Sequence, residues 1–402
     1  MKILVLNCGS SSLKSQVFET SPEQIATDQD RVLAKAVVER IGSRDAIISI
    51  TADGRRSRDT GPVANMDAAL KSVIEGISAF GPIEAVGHRV VHGGESFQEP
   101  VEFNEDVVER IEDLYDLAPL HNPHNVRGYR TSRTLLPDAR HVAVFDTAFH
   151  QTLPQEAYLY GIPYSYYAQD HYRRYGFHGV SHRYIAWRFA QIQDKPKDQF
   201  KVISCHLGNG SSMCAIKHGH SIDTSMGFTP LEGLVMGTRC GDIDASLILH
   251  MMAMSNESPS EMEALLTRKS GLYGLSGLSA DMRLLLDFRG KGDTRAAMAI
   301  DVFCYRVKKY IGSYLAALNG ADAIVFTGGV GENAAAIRAQ ICAEMEGLGI
   351  RIDHAANDAA AGKEARISVA DSPVQVWVIP TNEELLIARD TLRCLLGLPQ
   401  PD

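Results

Sequence analysis

The sequence predicts an α/β protein built from two related domains, on three observations. The first is a repeated local pattern. The β-rich run Ile3-Leu4-Val5-Leu6 enters the polar turn Asn7-Cys8-Gly9-Ser10-Ser11-Ser12, and Val202-Ile203-Ser204-Cys205 enters Leu207-Gly208-Asn209-Gly210-Ser211-Ser212 in the other half. Each turn leads into another apolar stretch, Leu13 to Phe18 and Met213 to Ile216, so each reads as a β-hairpin. The second is that strand-like runs and helical periodicity are interleaved along both halves. The third is length: 402 residues exceed one comfortable core, and two domains are the default.

In the first half, strands are expected at 2–6, 15–18 and 46–50. A helical pattern over 68–80 then precedes a strand at 85–91 and a helix over 104–117. A short buried strand at 141–145 is followed by a Tyr- and Pro-rich stretch, 153–175, that marks the crossing into the second domain. In the second half, 201–216 opens the core. Phe303, Val307, Tyr310, Ile311, Tyr314 and Leu318 hold the spacing of one long helix over 293–319, which Gly320 ends. A buried strand at 323–326, a glycine-rich turn at 327–333 and a helix over 334–346 follow. The last strand, 374–379, meets Pro380-Thr381-Asn382 and a capped helix from Glu383 to about Leu396.

Composition narrows the function class. Hydrophobic content of 45% and charged content of 22% are ordinary for a soluble globular protein. A net charge of −9 argues against a large nucleic-acid or anionic-membrane surface, although a local positive cleft is compatible with it. The opening apolar run is too short for a signal peptide, and no stretch reaches the roughly 18 apolar residues of a membrane span. The seven cysteines (8, 205, 214, 240, 304, 342, 394) are scattered through mostly apolar runs, which reads as reduced thiols of a cytoplasmic protein.

Hairpin tips rich in Gly, Ser and Asn aim backbone N–H groups and hydroxyls at an anion. One in each half points to a phosphate chain held between the halves, and so to a nucleotide-dependent phosphotransferase. There is no P-loop and no protein-kinase motif set. Gly329-Val330-Gly331-Glu332-Asn333-Ala334 follows a strand and matches a dinucleotide fingerprint in outline, but it lies late in the chain without a clear acidic partner. The same turn suits close approach of backbone to an adenosine moiety. Three histidine pairs, His88 with His92, His121 with His124 and His178 with His182, are spaced like metal ligands. The first pair ends a β-branched run, Pro123 interrupts the second and the third brackets Gly179, so hydrogen-bonding roles are favoured over a transition-metal site.

Arg89, at a strand end before Gly93-Gly94, and Arg239, between Gly237 and Gly241, are placed to fork onto carboxylate or phosphate oxygens rather than to lie solvated on the surface. Asp146 follows the strand at 141–145, the usual place for a site carboxylate in α/β folds, although such a residue can also simply cap a turn. Glu383 and Glu384 open the last helix. They either stabilise its first turn or help to hold Mg²⁺.

With these pieces assembled, the sequence resembles the acetate/propionate kinase family of the actin–hexokinase–Hsp70 superfamily, essentially from end to end. The most specific segments begin with Leu4-Val5-Leu6-Asn7-Cys8-Gly9-Ser10-Ser11-Ser12-Leu13-Lys14, 87–94, 144–150 and Arg174-Tyr175-Gly176-Phe177-His178-Gly179. They continue with 206–212, Met236-Gly237-Thr238-Arg239-Cys240-Gly241-Asp242, 328–333 and Pro380-Thr381-Asn382-Glu383-Glu384. The resemblance implies two duplicated actin-like (ribonuclease H-like, βββαβαβα) domains with a cleft between them. The first, 1–147 completed by 383–402, would take the acyl substrate and the second, 148–382, the nucleotide. It further implies a homodimer and Mg²⁺-dependent phosphoryl transfer between ATP and acetate, giving ADP and acetyl phosphate, with Mn²⁺ as an alternative cation.

By motif match, Arg89 and Arg239 would hold the acyl carboxylate and the transferring phosphoryl group. His178 would hydrogen-bond the phosphoryl oxygens, His121 would support it and Asp146 would orient the site. Asn7 and Glu383 match the family's Mg²⁺ positions. Lys14, His206, Leu207, Gly208, Asn209, Gly210, Asp281, Met282, Arg283, Gly329, Val330, Gly331, Glu332 and Asn333 match its ATP contacts. Val91, Leu120, Phe177 and Pro230 match its methyl pocket. This chain departs from the family at Met282, where phenylalanine is common, and at Cys240, where serine is usual. The second places a thiol beside Arg239 that is open to oxidation.

Overall fold

The computed structural model describes residues 1–52, 54–119 and 121–400. The chain divides into two compact units, Met1–Ala148 with Asn382–Asp402 and Phe149–Thr381. Each is built on one mixed sheet.

In the first unit, β1 (Lys2–Cys8), β2 (Ser12–Glu19) and β3 (Arg31–Glu39) form an antiparallel meander, extended by β4 (Ala46–Ala52) and β5 (Arg55–Gly61). On the other side of β1 lie β6 (Ala85–Val90) and β8 (Arg140–Phe145), both parallel to it, and β7 (Val101–Glu102) closes the edge. In the second unit, β9 (Lys201–Leu207), β10 (Ser211–Lys217) and β11 (His220–Thr224) repeat the meander. Parallel β12 (Ala323–Thr327) and β14 (Gln375–Val378) extend it past β9, with β13 (Ala365–Arg366) antiparallel at the edge. The order β3-β2-β1-β6-β8-β7 therefore recurs as β11-β10-β9-β12-β14-β13. This is the duplicated actin-like fold. An antiparallel meander on the first strand of each sheet is not a dinucleotide-binding arrangement, so the late glycine fingerprint belongs to a different architecture.

Strand sequence follows burial. The central β1, β9 and β12 are near-continuous apolar runs, as strands covered on both faces must be. The long helix Thr294–Leu318 lays Ala299, Phe303, Val307, Ile311, Tyr314 and Leu318 into the core of the second unit. Asp293 caps its start, accepting from Ala296 N at 2.8 Å, and Asn319 ends it in the left-handed conformation. The glycine-rich segment after β12 is a short helix, Gly328–Asn333, rather than an open turn, and the next helix stops at Cys342.

The chain returns to the first unit through the helix Glu383–Leu396, capped by Asn382, which packs on β6, β8 and β1. A Cβ at Gly87 would lie 2.4 Å from Thr391 Oγ1 and 2.9 Å from Ile387 Cγ2, so glycine on β6 is what lets this helix lie so close. Arg389, 2% exposed, ties the helix to the first meander through ion pairs with Asp28 and Asp30.

Candidate active site

In the first unit the site is built where three parallel neighbours end. Asn7 lies near the end of β1, Arg89 near the end of β6, and Asp146 directly after β8. The carboxyl ends of adjacent parallel strands are where α/β sheets gather ligand groups. Arg89 donates from Nε to Asp146 Oδ1 at 2.9 Å, from Nη2 to Asp146 Oδ2, and from Nη1 to Asn7 Oδ1 at 3.1 Å. Asp146 is 1% exposed. Burial pulls the Arg89 guanidinium down, but the charges of Asp146 and Glu383 and the hydrogen bonds to Asp146 outweigh it, and Arg89 is held protonated. Glu383, in the first turn of the last helix, is pushed up to about 7 by burial and by the charges of Asp146 and Glu384, against the pull of Arg89 and Lys14. Lys14 faces Asn7 across the β1–β2 hairpin.

The turn after β6 is fixed from the helix Asn122–Leu135. Asn125 Oδ1 accepts from Val91 N at 3.1 Å, and Asn122 Oδ1 from His92 N at 3.1 Å. Asn122 Nδ2 in turn donates to His92 O, and Asn125 Nδ2 to Cys8 O, both at 3.0 Å. His121 stands at the N-terminus of this helix, so the clamp also sets its place. Leu120 lies outside the described residues. No sequence motif singles out Asn122 and Asn125. Their signal was two buried amides one helical turn apart, on a helix whose inward face is polar.

In the second unit, the tip of the β9–β10 hairpin carries Gly208, Asn209 and Gly210. A Cβ at Gly210 would sit 3.5 Å from His178 Cε1 and 3.6 Å from Arg239 Nη1, so the turn rests against both. Gly237 N donates to Asn209 O at 2.9 Å, and a Cβ at Gly237 would fall 2.1 Å from Asn209 Oδ1, so any larger residue there would displace the Asn209 side chain. Arg239 is half-buried and donates to Pro230 O at 3.1 Å. Among the described residues no carboxylate pairs with it, and desolvation lowers its pKa. His178 holds a left-handed backbone (φ 56°) at the start of the helix Gly179–Ile192. Its ring stacks on His206 with centroids 4.3 Å apart.

The short helix after β12 is tied to the same edge. Glu332 Oε1 accepts from Gly328 N at 2.9 Å and from Thr381 N at 3.1 Å. Gly328 (φ +75°) packs on Leu207, where a Cβ would lie 2.8 Å from the carbonyl oxygen. Arg338, fully buried, donates to Gly331 O at 2.9 Å and Glu332 O at 3.0 Å, bracing this segment from below. Asn333 Nδ2 bonds back to Gly329 O at 2.9 Å. Gly329 has open space where a Cβ would be.

Within each unit, then, most of the expected residues converge. Asn7, Arg89, Asp146 and Glu383 form one cluster in the first unit, with Lys14 near Glu383. His178, His206, Leu207, Gly208, Asn209, Gly210 and Arg239, with Gly328–Asn333 beside them, form one in the second. The segment 281–283 stands apart by its hydrogen bonding. Arg283, mostly exposed, folds back on Asp281, and Met282 is 4% exposed in the apolar core. Of the apolar set, Val91 belongs to the first unit and is 8% exposed, while Phe177 and Pro230 belong to the second.

Several histidines are buried as neutral rings. Burial pushes His92 to about 3, and His141 and His150 each to about 4, below the usual 6.5. Each unfolded imidazole binds a proton below pH 6.5 that the folded one refuses, so this stability is complete above 6.5 and is lost as pH falls towards 4. Glu383 acts oppositely, losing its contribution as pH rises from 4.5 to about 7. With His88 and His182 also held well below 6.5 by burial, five rings against one carboxyl predict a melting temperature that falls steadily between pH 6.5 and 4. A flat profile by circular dichroism over that window would contradict neutral burial of these rings.

Residues 2–389 match the sequence profile of the Acetokinase family. The chain is 49% identical to the acetate kinase of Solibacter usitatus over 100% of both chains. It is 51% identical to that of Thermoanaerobacterium thermosaccharolyticum over 99% of this chain and 100% of the relative. The crystal structure of Porphyromonas gingivalis acetate kinase superposes with a TM-score of 0.90 at 41% identity, covering 98% of this chain and 99% of that one. A propionate kinase structure from Francisella tularensis gives 0.90 at 40% identity, covering 99% and 100%. The chain belongs to the Acetokinase family, phosphotransferases whose known reaction is the ATP-dependent phosphorylation of acetate.

Proposed function

We propose that this chain forms acetyl phosphate and ADP by direct in-line attack of the acetate carboxylate on the γ-phosphoryl group of ATP, and runs the same step in reverse. A carboxylic acid with an ordinary pKa near 4–5 is ionised at neutral pH, so the nucleophile needs no general base. The obstacle is electrostatic, because one anion must strike another, and catalysis consists of positioning and charge stabilisation. The observation that carries the reading is Arg239: a half-buried guanidinium without a carboxylate partner among the described residues, against a glycine turn and beside His178. Such a group is left to pair with an anion.

In this reading Arg89 takes the acyl carboxylate, Arg239 and His178 take the phosphoryl oxygens, and His121 assists. Asp146 acts by orienting Arg89. The glycine turn 206–210 and the helix start at 328–333 receive the nucleotide, and Lys14 is assigned to it by motif match.

Magnesium fits the donor set. Asn7 Oδ1 and the Glu383 carboxylate both lie close to Arg89, and the burial that, with the charges of Asp146 and Glu384, raises Glu383 to about 7 is a cost a divalent cation would offset. Mg²⁺ keeps several waters and needs only one or two protein oxygens. When bound with ATP it supplies charge neutralisation at the phosphates. Mn²⁺ takes the same oxygen ligands.

By motif match alone, we assign substrate size to Val91, Leu120, Phe177 and Pro230. We assign acetate over propionate. One methylene in an apolar pocket is worth about 1–3 kcal/mol, so selectivity is modest. Val91→Ala should narrow the acetate-to-propionate ratio of kcat/KM by about tenfold; an unchanged ratio would remove Val91 from the pocket.

A homodimer is supported by the helix Ala245–Ser255. It is apolar in sequence, yet none of its residues is buried, and Leu249 and Met254 are 68% and 75% exposed. An unpartnered apolar face of this kind is covered in assemblies. Leu249→Glu with Met254→Glu should convert a sedimenting dimer to monomer without changing the far-UV spectrum; a wild-type monomer would overturn the assignment. Free thiols throughout, and the absence among the described residues of a helix able to cross a membrane, fit a cytoplasmic enzyme. The deciding experiment is ATP-dependent trapping of acyl phosphate from acetate as the hydroxamate, with Arg89→Ala as control.

A further inference from the structure

A chain of side chains runs inward from His178 that the reaction as stated above does not use. Ser212 Oγ lies 2.9 Å from His178 Nδ1 and 2.8 Å from His182 Nε2, and His182 Nδ1 lies 2.9 Å from Ser204 Oγ. His182, Ser204 and Ser212 are all fully buried. His178 and His182 are one helical turn apart on Gly179–Ile192, or just before it, while Ser204 and Ser212 lie on the paired strands β9 and β10. Two elements of the fold therefore meet at this relay.

A hydroxyl carries one proton, so Ser212 donates to one imidazole and accepts from the other. The chain consequently has two senses. In one, Ser204 donates to His182 Nδ1, His182 Nε2–H donates to Ser212, and Ser212 donates to His178 Nδ1. A neutral His178 then carries its proton on Nε2. In the reverse sense His178 donates from Nδ1, and a neutral ring presents a bare Nε2, which repels an anion. The partner of one ring nitrogen decides what the other offers.

We propose that Ser212 and His182 are positioning residues that hold His178 as the neutral tautomer protonated on Nε2, the form that donates to a phosphoryl oxygen. This rests on the assignment of His178 to the phosphoryl group. Neutrality is favoured by the surroundings: the Arg239 guanidinium lies across Gly210, His206 stacks on the ring, and His182 is a buried imidazole held well below its usual pKa by desolvation and by His150 and His206. A second positive charge on His178 would lie near that of Arg239, since both side chains rest against Gly210. Among the described residues, Arg239, His206 and His182 lie by His178 from the loop at 236–239, from β9 and from its own helix. No proton leaves the relay during turnover; its function is to fix where one sits.

The test uses the full-length enzyme. Ser212→Ala should lower kcat by about tenfold or more, with KM for acetate and ATP changing less than about threefold, and Ser212→Thr, which keeps the hydroxyl, should restore it. His182→Phe should reproduce the loss. The double variant Ser212→Ala with His178→Ala should be no slower than His178→Ala alone. In ¹⁵N-histidine spectra, wild-type His178 should show the Nε2–H tautomer with or without inorganic phosphate, and Ser212→Ala a mixture. If His178→Ala disables the enzyme while Ser212→Ala leaves both kcat and tautomer unchanged, the relay is refuted and the phosphoryl assignment stands. If His178→Ala is fully active, that assignment fails, and the tautomer shift alone then judges the relay. Should the Ser212 variants not fold, an Nδ1–H tautomer in the wild type refutes the proposal and an Nε2–H tautomer supports it.

Discussion

Arg89→Ala is expected to reduce hydroxamate formation from acetate and ATP by about a thousandfold or more, the scale on which a transition-state arginine acts in phosphoryl transfer. The geometry adds a structural cost. Asp146 is 1% exposed and takes two hydrogen bonds from this one guanidinium. Removing the cation leaves a buried carboxylate without its counter-ion, which costs about 3–5 kcal/mol. It also strips from Glu383 the first of the charges that lower its pKa, so Glu383 should titrate above 7 and metal binding should weaken at neutral pH. Arg89→Lys separates the two effects. It keeps the charge and much of the stability but cannot fork onto Asp146, so it should fold like wild type and remain severely impaired. Activity of Arg89→Ala within about tenfold of wild type, in a protein that melts normally, would remove Arg89 from the site.

Asp146→Asn should lower kcat by about a hundredfold while retaining the acid limb of the pH profile. If Glu383 holds the cation as proposed above, the limb belongs to Glu383, whose protonation would withdraw an oxygen ligand. The Asp146 charge raises Glu383, so neutralising it should move the limb to lower pH rather than erase it. Glu383→Gln should erase it. Were Asp146 the general base, its amide variant would instead lose the limb altogether, and profiles of kcat/KM for the two variants distinguish these outcomes.

The legibility of the fold varied with the physical nature of each element. β1, β9 and β12 were readable because strands covered on both faces must be apolar throughout. The long helix Thr294–Leu318 was readable because its buried face repeats every three or four residues and its cap and stop are standard residue types. β5, Arg-Arg-Ser-Arg-Asp-Thr-Gly, was not readable: it is an edge strand whose side chains are nearly all exposed, held to β4 chiefly by backbone pairing. The helix Asn122–Leu135 escaped for the opposite reason, since its inward face carries Asn122, Asn125, Tyr129 and Ser132 rather than an aliphatic stripe. Met282 shows the limit of motif reading, because its position in the motif says nothing of a side chain that folding puts in the core.

The sequence alone determined the architecture and the residue types at the strand ends. Hairpin tips, apolar periodicity and guanidiniums beside glycines are local properties of the chain, and local patterns survive without coordinates. Which groups pair was decided only by tertiary structure. Arg89 meets Asp146 because β6 and β8 are parallel neighbours, Asn122 and Asn125 clamp the turn after Arg89, and Ser212 sits between His178 and His182 because a helix packs on a hairpin. Protonation state follows from those pairings. Glu383 titrates near 7 through burial beside Asp146 and Glu384, and burial of that kind is a consequence of packing that no linear pattern encodes.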